Sequence, residues 1–231
     1  MSTQQPTRDA CLESLRLHIR SLQRAGLKFD AGGRRTDPED QLSCQARLEA
    51  LRSESTDCTH CRLCSGRSHV VFGEGNSQAR LMIIGDVPDS ESDTQGLPFA
   101  GESGQLLTRI IEAIKLQRSQ IYLTSVVKCI APKGEPEDDA IEACLPFLQQ
   151  QIEIIQPEII CALGPLAARV LQEHGSPSAR PRGKMYRLGT ILVMPTHHPE
   201  LLLRKPKLKK EIWIDVQIIQ RELASGATRR Q

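Results

Sequence analysis

Aromatic residues and long hydrophobic runs are both scarce in this sequence. Aromatic side chains make up 3% of the 231 residues, with one Trp, two Tyr and four Phe, so we expect an aliphatic core. No apolar run approaches the ~18–20 residues that a membrane-spanning helix needs. The opening residues MSTQQPTRDA also lack the basic-then-apolar pattern of a secretory signal. We therefore expect a cytoplasmic protein with no membrane partner.

The common glycine-rich phosphate-binding motifs are absent as well. No GxGxxG follows the first apolar run, and no GxxxxGK[ST] occurs anywhere in the chain. We interpret the glycines of FGEGN at 72–76 as a tight turn rather than a phosphate cradle. The sequence thus disfavours a dinucleotide-dependent dehydrogenase and a P-loop enzyme.

The small net charge of +2 hides an uneven distribution. Residues 176–231 contain twelve Lys and Arg against four Asp and Glu, or +8, which leaves 18 − 24 = −6 for residues 1–175. A basic C-terminal quarter indicates either a surface that faces a polyanion or a solvated basic tail.

Apolar runs alternate with helix-like stretches from about residue 70 onwards. The strand-like runs are Arg80–Gly85, Ile121–Val127, Glu158–Leu163 and Thr190–Met194, and the helical stretches fall at about 103–116, 137–155, 164–173 and 207–223. This alternation predicts an α/β fold, a three-layer α/β/α sandwich with a central parallel four-stranded sheet. Ligands of such sheets bind beyond the carboxyl ends of the strands.

The N-terminal part of the chain has a different pattern. Residues 8–28 have the apolar spacing of one amphipathic helix, residues 30–41 are polar and linker-like, and a second short helix is predicted at 41–54. We therefore divide the chain into a helical N-terminal extension (1–54), a main domain (55–225) and a loose tail (226–231).

Eight cysteines are unusual in a chain without secretory features. Clustered cysteines in a reducing compartment more often bind metal or take part in redox chemistry than form disulfides. Three of them lie in the run CTHCRLC at 58–64, and Cys129 and Cys144 follow much later. Cys161 lies in an apolar run and is interpreted as a small buried hydrophobic residue.

Eight short segments between about residues 55 and 220 form a distinctive series. In chain order they are CTHC, VVFGEGN (70–76), RLMIIGDVP (80–88), GLPFAGESGQLL (96–107), YLTSVVKC (122–129), EACLPFLQQQI (142–152), PEIICALG (157–164) and PTHHPELLLR (195–204). In order and spacing this series resembles the iron–sulfur class of uracil-DNA glycosylases, often called family four, within the uracil-DNA glycosylase superfamily.

The resemblance implies a DNA glycosylase of base excision repair. Such an enzyme flips uracil or another deaminated base out of DNA and hydrolyses its N-glycosidic bond. The partner implied is DNA that contains such bases, and we expect a monomer.

The resemblance also implies roles for individual residues. Phe99 in GLPFAG corresponds to the ring that stacks on the base, and His198 in the His-Pro motif to the donor that stabilises the departing base. Asp86, or Asp89 close to it, is expected to position water or the sugar cation. The residues expected to contact the base besides Phe99 are Ser125, Asp89 and Val87.

A [4Fe-4S] cluster is the cofactor that the resemblance implies. Its ligands are expected to be Cys58, Cys61, Cys129 and Cys144, since thiolates suit iron–sulfur centres. Zinc in the same four thiolates and reduced free thiols remain the alternatives. Cys64 is an extra thiol relative to the family pattern, and it either replaces one ligand or lies near the cluster.

The segment after the His-Pro motif is expected to contact DNA. In the family this segment approaches the minor groove and inserts an apolar side chain where the base has left the stack. The expected DNA-contacting residues here are Leu202, Arg204, Lys205 and Lys207.

Four positions depart from the family pattern and keep a second function open. Asp86 replaces a Glu, Asp89 a Gly, Ser92 an acidic residue that often stands there, and Ser125 the Asn that reads the uracil edge. The alternative is a catalytically inactive iron–sulfur DNA-binding relative that acts as a lesion sensor or a repair or replication partner. A nucleotide-acting α/β hydrolase unrelated to DNA is the third reading.

Overall fold

A six-stranded sheet forms the centre of the computed structural model, which describes residues 38–131, 135–172 and 182–228. The strands are β1 (Glu74–Gly75), β2 (Leu81–Gly85), β3 (Tyr122–Ser125), β4 (Ile159–Leu163), β5 (Tyr186–Leu188) and β6 (Ile191–Thr196). Their order is β1-β3-β2-β4-β6-β5, with β3, β2, β4 and β6 parallel and both outer strands antiparallel. The four predicted strands are therefore the parallel centre of a mixed sheet. The two edge strands were not predicted, because two or three residues carry no periodic pattern.

Seven α-helices surround the sheet in the described residues. They are α1 (Pro38–Thr56), α2 (Ser90–Gln95), α3 (Glu102–Ala113), α4 (Asp138–Ile155), α5 (Pro165–Val170), α6 (Pro199–Arg204) and α7 (Lys209–Thr228). Four of these match the predicted stretches of the main domain, whereas α2 and α6, of six residues each, were not predicted. No helix in the described ranges has the length and apolar character needed to cross a bilayer.

Helices cover both faces of the sheet, which confirms the predicted sandwich. On one face α3 and α7 share a buried cluster with the strands, in which Leu107 and Ile219 meet Ile83. On the other face Gln151 of α4 hydrogen-bonds to the hydroxyl of Tyr122 in β3. The central strands are buried on both sides because apolar residues fill each of them almost completely.

The predicted helix at 41–54 is confirmed as α1, and the predicted helix at 8–28 lies outside the described residues. Leu48 and Leu51 of α1 are buried, and α1 packs against α4. Arg52 donates to the carbonyl of Gly73 at 2.6 Å, and its guanidinium lies 5.1 Å from the centre of the Phe72 ring. The α1 helix is thereby attached to the loop that leads into β1.

Candidate active site and cysteine cluster

A cavity of about 980 Å³ opens beyond the carboxyl ends of β2, β3 and β6. This is the edge at which ligands bind in sheets of this kind. The lining includes five of the six residues predicted for base binding and catalysis: Val87, Asp89, Phe99, Ser125 and His198. Segments that are far apart in the chain thus contribute to one pocket.

Phe99 and His198 face each other in this cavity. Their ring centres are 5.9 Å apart and the ring planes differ by 29°. The Cα hydrogens of Gly85, at the end of β2, leave room for the aromatic ring, since a Cβ there would lie 2.8 Å from Phe99 Cζ. A larger residue at Gly85 would therefore push the ring out of place.

The loop that carries Phe99 is held in a specific conformation. Phe99 has a φ of 54°, in the left-handed region that residues with a Cβ rarely adopt. Arg118 Nη2 donates to the carbonyl of Pro98 at 2.9 Å and is ion-paired with Glu74 at 2.5 Å. A Cβ at Gly104, in the first turn of α3, would collide with the carbonyl oxygen of Phe99. These contacts fix the ring, and none of them was predicted from the sequence.

His198 is present as a neutral hydrogen-bond donor. It precedes α6, and its Nδ1 accepts from the backbone N–H of Glu200 at 3.3 Å. We assign the ring proton to Nε2 from this bond, because an acceptor nitrogen carries no proton. Burial lowers the pKa of His198. The adjacent His197 instead hydrogen-bonds to Glu211 at 2.9 Å.

Ser125 is buried at the end of β3 and lines the cavity. Its hydroxyl donates to the carbonyl of Val127 at 2.6 Å. A hydroxyl has one proton, so only the lone pairs of Ser125 Oγ are left for a ligand. Ser125 therefore presents an acceptor to the cavity.

Asp89 and Ser92 stabilise the start of α2 at the cavity wall. One oxygen of Asp89 accepts from the backbone N–H of Ser92 at 2.8 Å, and the other accepts from Ser103 Oγ at 3.2 Å. The hydroxyl of Ser92 accepts from the backbone N–H of Ala100 at 3.2 Å. Asp89 is thus a carboxylate with two partners at the cavity surface.

Asp86 is not brought together with the other predicted residues. It is absent from the cavity lining, and its carboxylate accepts from the backbone N–H of Ala167 at 2.7 Å in the first turn of α5. A Cβ at Gly164, which has a φ of 107°, would lie 2.6 Å from Asp86 Cγ. Burial raises the pKa of Asp86 to about 6, against the lowering effect of the backbone bonds from Ala167 and Leu166.

Lys128 is a buried residue of the site that sequence analysis missed. Its Nζ donates to Thr124 Oγ1 at 2.6 Å, Ser125 O at 2.7 Å and Gln151 Oε1 at 2.7 Å. Burial lowers the pKa of Lys128 to about 7. The sequence feature that could have indicated this residue is its position directly after the apolar strand segment that ends in Val127. The side chain joins the end of β3 to α4 beneath the cavity.

The four predicted ligand cysteines lie in one neighbourhood. Burial raises the pKa of Cys129 to about 11, and the nearby thiols of Cys144 and Cys61 raise it further. The pKa of Cys144 is likewise raised by burial and, to a smaller extent, by Cys61 and Cys58. The structure thus brings the four predicted ligand thiols close enough to influence one another electrostatically.

Contacts around these thiols hold the 58–61 loop on the domain. Arg67 Nη1 donates to the carbonyl of Cys58 at 2.7 Å and approaches Cys129 Sγ at 3.5 Å. The His60 ring stacks on Phe147 of α4 with ring centres 6.2 Å apart. Within the described residues no three metal-binding side chains converge on a single-ion site. Each thiolate of a four-iron cluster binds a different iron, so such a cluster accepts thiols that stand farther apart than ligands of one ion.

The structure corrects one residue in the predicted DNA-contacting segment. Leu202 is 0% exposed and packs with Ile212 and Val216 of α7, so it belongs to the core. The apolar side chain presented to solvent is that of Leu203, which is 37% exposed. The six residues of α6 explain the error, because successive side chains of a helix point in different directions.

The cationic residues of this segment are all exposed. Arg204 forms an ion pair with Glu200 one helical turn earlier, and it also lines the cavity. Lys205 and Lys207 form no ion pair with any described residue and face solvent. The segment is therefore basic next to the cavity, and its contact with DNA stays a prediction.

Comparison with known proteins gives one consistent family. The model of the uracil DNA glycosylase superfamily matches residues 72–217. The chain is 40% identical over 187 residues to the type-4 uracil-DNA glycosylase of Sulfurisphaera tokodaii, which covers 77% of this chain and 84% of the relative. It is 38% identical over 188 residues to the type-4 enzyme of Saccharolobus solfataricus, with 77% and 87% covered. It is 39% identical over 162 residues to that of Thermotoga maritima, with 68% and 83% covered. This chain therefore belongs to the uracil-DNA glycosylase superfamily, and within it to the type-4 uracil-DNA glycosylases.

Proposed function

We propose that this protein is a DNA glycosylase that removes uracil or another deaminated base from DNA by hydrolysing the N-glycosidic bond. One observation carries the proposal: the Phe99 ring, the Nε2–H of His198 and the acceptor of Ser125 meet in one cavity. The type-4 enzymes to which the chain is similar are named for uracil removal from DNA. No contact in the described residues favours the inactive alternative.

Phe99 and His198 supply the two main interactions that favour base removal. A base flipped out of the helix loses its stacking, and stacking on an aromatic side chain restores ~1–3 kcal/mol. As the glycosidic bond breaks, negative charge develops on the departing base. A neutral imidazole whose Nε2–H is already oriented stabilises that charge without reorganisation at the moment of reaction.

Ser125 selects bases that present an N–H on their pairing edge. Its hydroxyl proton is donated to Val127, so the oxygen only accepts. Uracil and hypoxanthine each have an N–H where cytosine and adenine have a lone pair. The acceptor thus favours the deaminated base over its parent, because two lone pairs facing each other leave both groups without a partner.

Asp89 is the carboxylate that we place next to the reacting sugar. Its carboxylate lies at the cavity, where it is suited to position water or to stabilise the sugar cation. Asp86 acts instead as a positioning residue, since its carboxylate holds the first turn of α5 close to the end of β2.

The cofactor that we propose is a [4Fe-4S] cluster on Cys58, Cys61, Cys129 and Cys144. The grouping of these thiols supports this ligand set, and their chemistry suits iron–sulfur binding. When bound, such a cluster would crosslink three separate segments of the chain. Its role is structural, because the thiols belong to the framework rather than to the cavity lining.

On the DNA side we propose that Leu203, rather than Leu202, enters the gap left by the flipped base. Arg204, Lys205 and Lys207 contact phosphates on either side of it. Lysine and arginine contacts to phosphates make binding salt-dependent. We also propose that the enzyme acts as a monomer in the cytoplasm, where its thiols stay reduced.

The test is single-turnover excision from DNA that contains uracil, hypoxanthine or xanthine, with iron-loaded protein. We expect uracil to be removed, and we expect His198→Ala and Phe99→Ala each to lower the rate by at least about tenfold. Ser65→Ala, at the cavity wall, serves as the matched control. Absence of cleavage of every base, with DNA binding retained, would contradict the proposal.

A further inference from the structure

The single tryptophan of the chain lies exposed on α7. Trp213 is 41% exposed and the adjacent Ile214 is 54% exposed. Neither belongs to the core, because α7 packs on the domain through Ile212, Val216 and Ile219. A large ring that contributes little to folding is available for binding, since tryptophan combines a large apolar surface with a polar N–H.

Lysines surround this ring. Lys209 and Lys210 precede Trp213 by four and three residues, so all three lie on the same side of the helix. Both lysines are exposed, as are Lys205 and Lys207 in the preceding turns. In the described part of the chain none of these four lysines forms an ion pair.

The acidic side chains nearby do not neutralise the lysines. Glu211 is paired with Arg182 and His197. Asp215 is fully buried, and it pairs with Arg182 at 2.9 Å and accepts from Thr196 Oγ1. The exposed face of α7 therefore carries positive charge around one aromatic ring.

We infer that this face, formed by Lys209, Lys210, Trp213 and Ile214, binds single-stranded DNA outside the cavity. The lysines contact phosphates, and Trp213 stacks on an unpaired base. Cations without an ion-pair partner attract a polyanion, and an exposed ring among them is the usual arrangement for sequence-independent binding of single strands. In a duplex the faces of the bases are covered by their neighbours, so the ring gains little there. The inference rests on the proposed function only in that both need DNA.

The tryptophan itself is the probe. A thymine oligonucleotide of about 20 nucleotides, which contains no uracil, is titrated into the iron-loaded protein while the emission of Trp213 is recorded. We expect saturable quenching that weakens as salt is raised. The variants are compared by the fluorescence anisotropy of the same oligonucleotide carrying a fluorescein label, because the Trp213 variants contain no tryptophan. Trp213→Ala should weaken binding of this strand by at least about fivefold, Trp213→Phe should retain most of the affinity, and Lys209→Ala with Lys210→Ala should weaken it further. Arg47→Ala removes an exposed cation from α1, which packs against α4, and should change nothing.

The outcomes separate this inference from the proposed function. Unchanged emission on adding DNA, or equal affinity of Trp213→Ala and wild type, would overturn the inference even if uracil is excised. An emission maximum typical of a buried tryptophan would overturn it too, since another segment or protein would then cover the ring. Quenching without excision of any base would support the inference and contradict the proposed function.

Discussion

Burial shifts the pKa of His198, which lines the cavity, and of Asp86, which does not, in opposite directions for the same reason. A charged group loses hydration when it is buried, so the neutral form gains: the pKa of His198 falls and that of Asp86 rises to about 6. For His198 the result is a neutral donor at physiological pH. For Asp86 the result is a carboxyl group whose ionisation costs folding free energy.

Asp86→Asn should change the pH dependence of stability. The folded-state pKa of about 6 lies above the unfolded value, so the contribution of Asp86 is full at low pH and is lost as pH rises through 6. Between about pH 5 and pH 7.5 the wild type should lose about 1–2 kcal/mol of unfolding free energy that Asp86→Asn keeps. Urea unfolding at both pH values measures this change in unfolding free energy, and Glu112→Gln, at an exposed position, is the control. Parallel pH profiles for wild type and Asp86→Asn would refute the assignment.

Ser125 offers a prediction about the base edge. Ser125→Ala removes the acceptor and should slow uracil excision by about threefold to tenfold, the scale of one hydrogen bond. Ser125→Asn adds a donor beside the acceptor and should raise the rate on uracil by about tenfold. Single-turnover rates on uracil-containing DNA measure both effects. Ser65→Ala is the control, because the Ser65 hydroxyl of the wild type also donates to a nearby carbonyl, that of Arg62. If Ser125→Ala matched wild type, the hydroxyl would have no role in base recognition.

At the scale of elements, the conformation of the loop between α2 and α3 depends on its close contact with the first turn of α3. Gly104→Ala should lower uracil excision by at least about tenfold, because its Cβ would collide with the Phe99 carbonyl and displace the ring. Gly66→Ala is the matched control, since a Cβ there meets nothing within 4 Å. Circular dichroism and iron content check that both variants fold. Equal rates for the two variants would show that the loop tolerates displacement.

The proposed cluster belongs to the scale of the whole molecule, because its four cysteines would join the 58–61 loop, the end of β3 and α4. We expect about four irons per chain. Removing the iron with a chelator should lower the free energy of unfolding by at least about 2 kcal/mol, since binding energy at a folded site is also folding energy. Urea unfolding of loaded and stripped protein measures this difference.

Two serine variants test the ligand set. Cys144→Ser should lose iron and Cys64→Ser should keep it, because Cys144 belongs to the proposed ligand set and Cys64 does not. Equal loss of iron from both variants would place Cys64 among the ligands. Colourless protein with one zinc per chain would show that the four thiolates bind zinc rather than an iron–sulfur cluster.

Much of the architecture was predictable because it depends on local patterns. Apolar runs such as Ile159–Leu163 mark buried parallel strands, and the spacing between them leaves room for helices. The short elements were not predictable. Strands of two or three residues and helices of six, such as Pro199–Arg204, are too short for a period to show.

The sequence by itself determined the family, the central strands and most of the residues that we propose for the chemistry, since motifs such as the His-Pro pair persist as local chain segments. Tertiary structure alone decided which way side chains point. It turned Asp86 towards α5, buried Leu202, exposed Trp213 and placed Lys128 beneath the cavity. The physical reason is that direction and burial depend on contacts between segments distant in the chain, and no local pattern records those contacts.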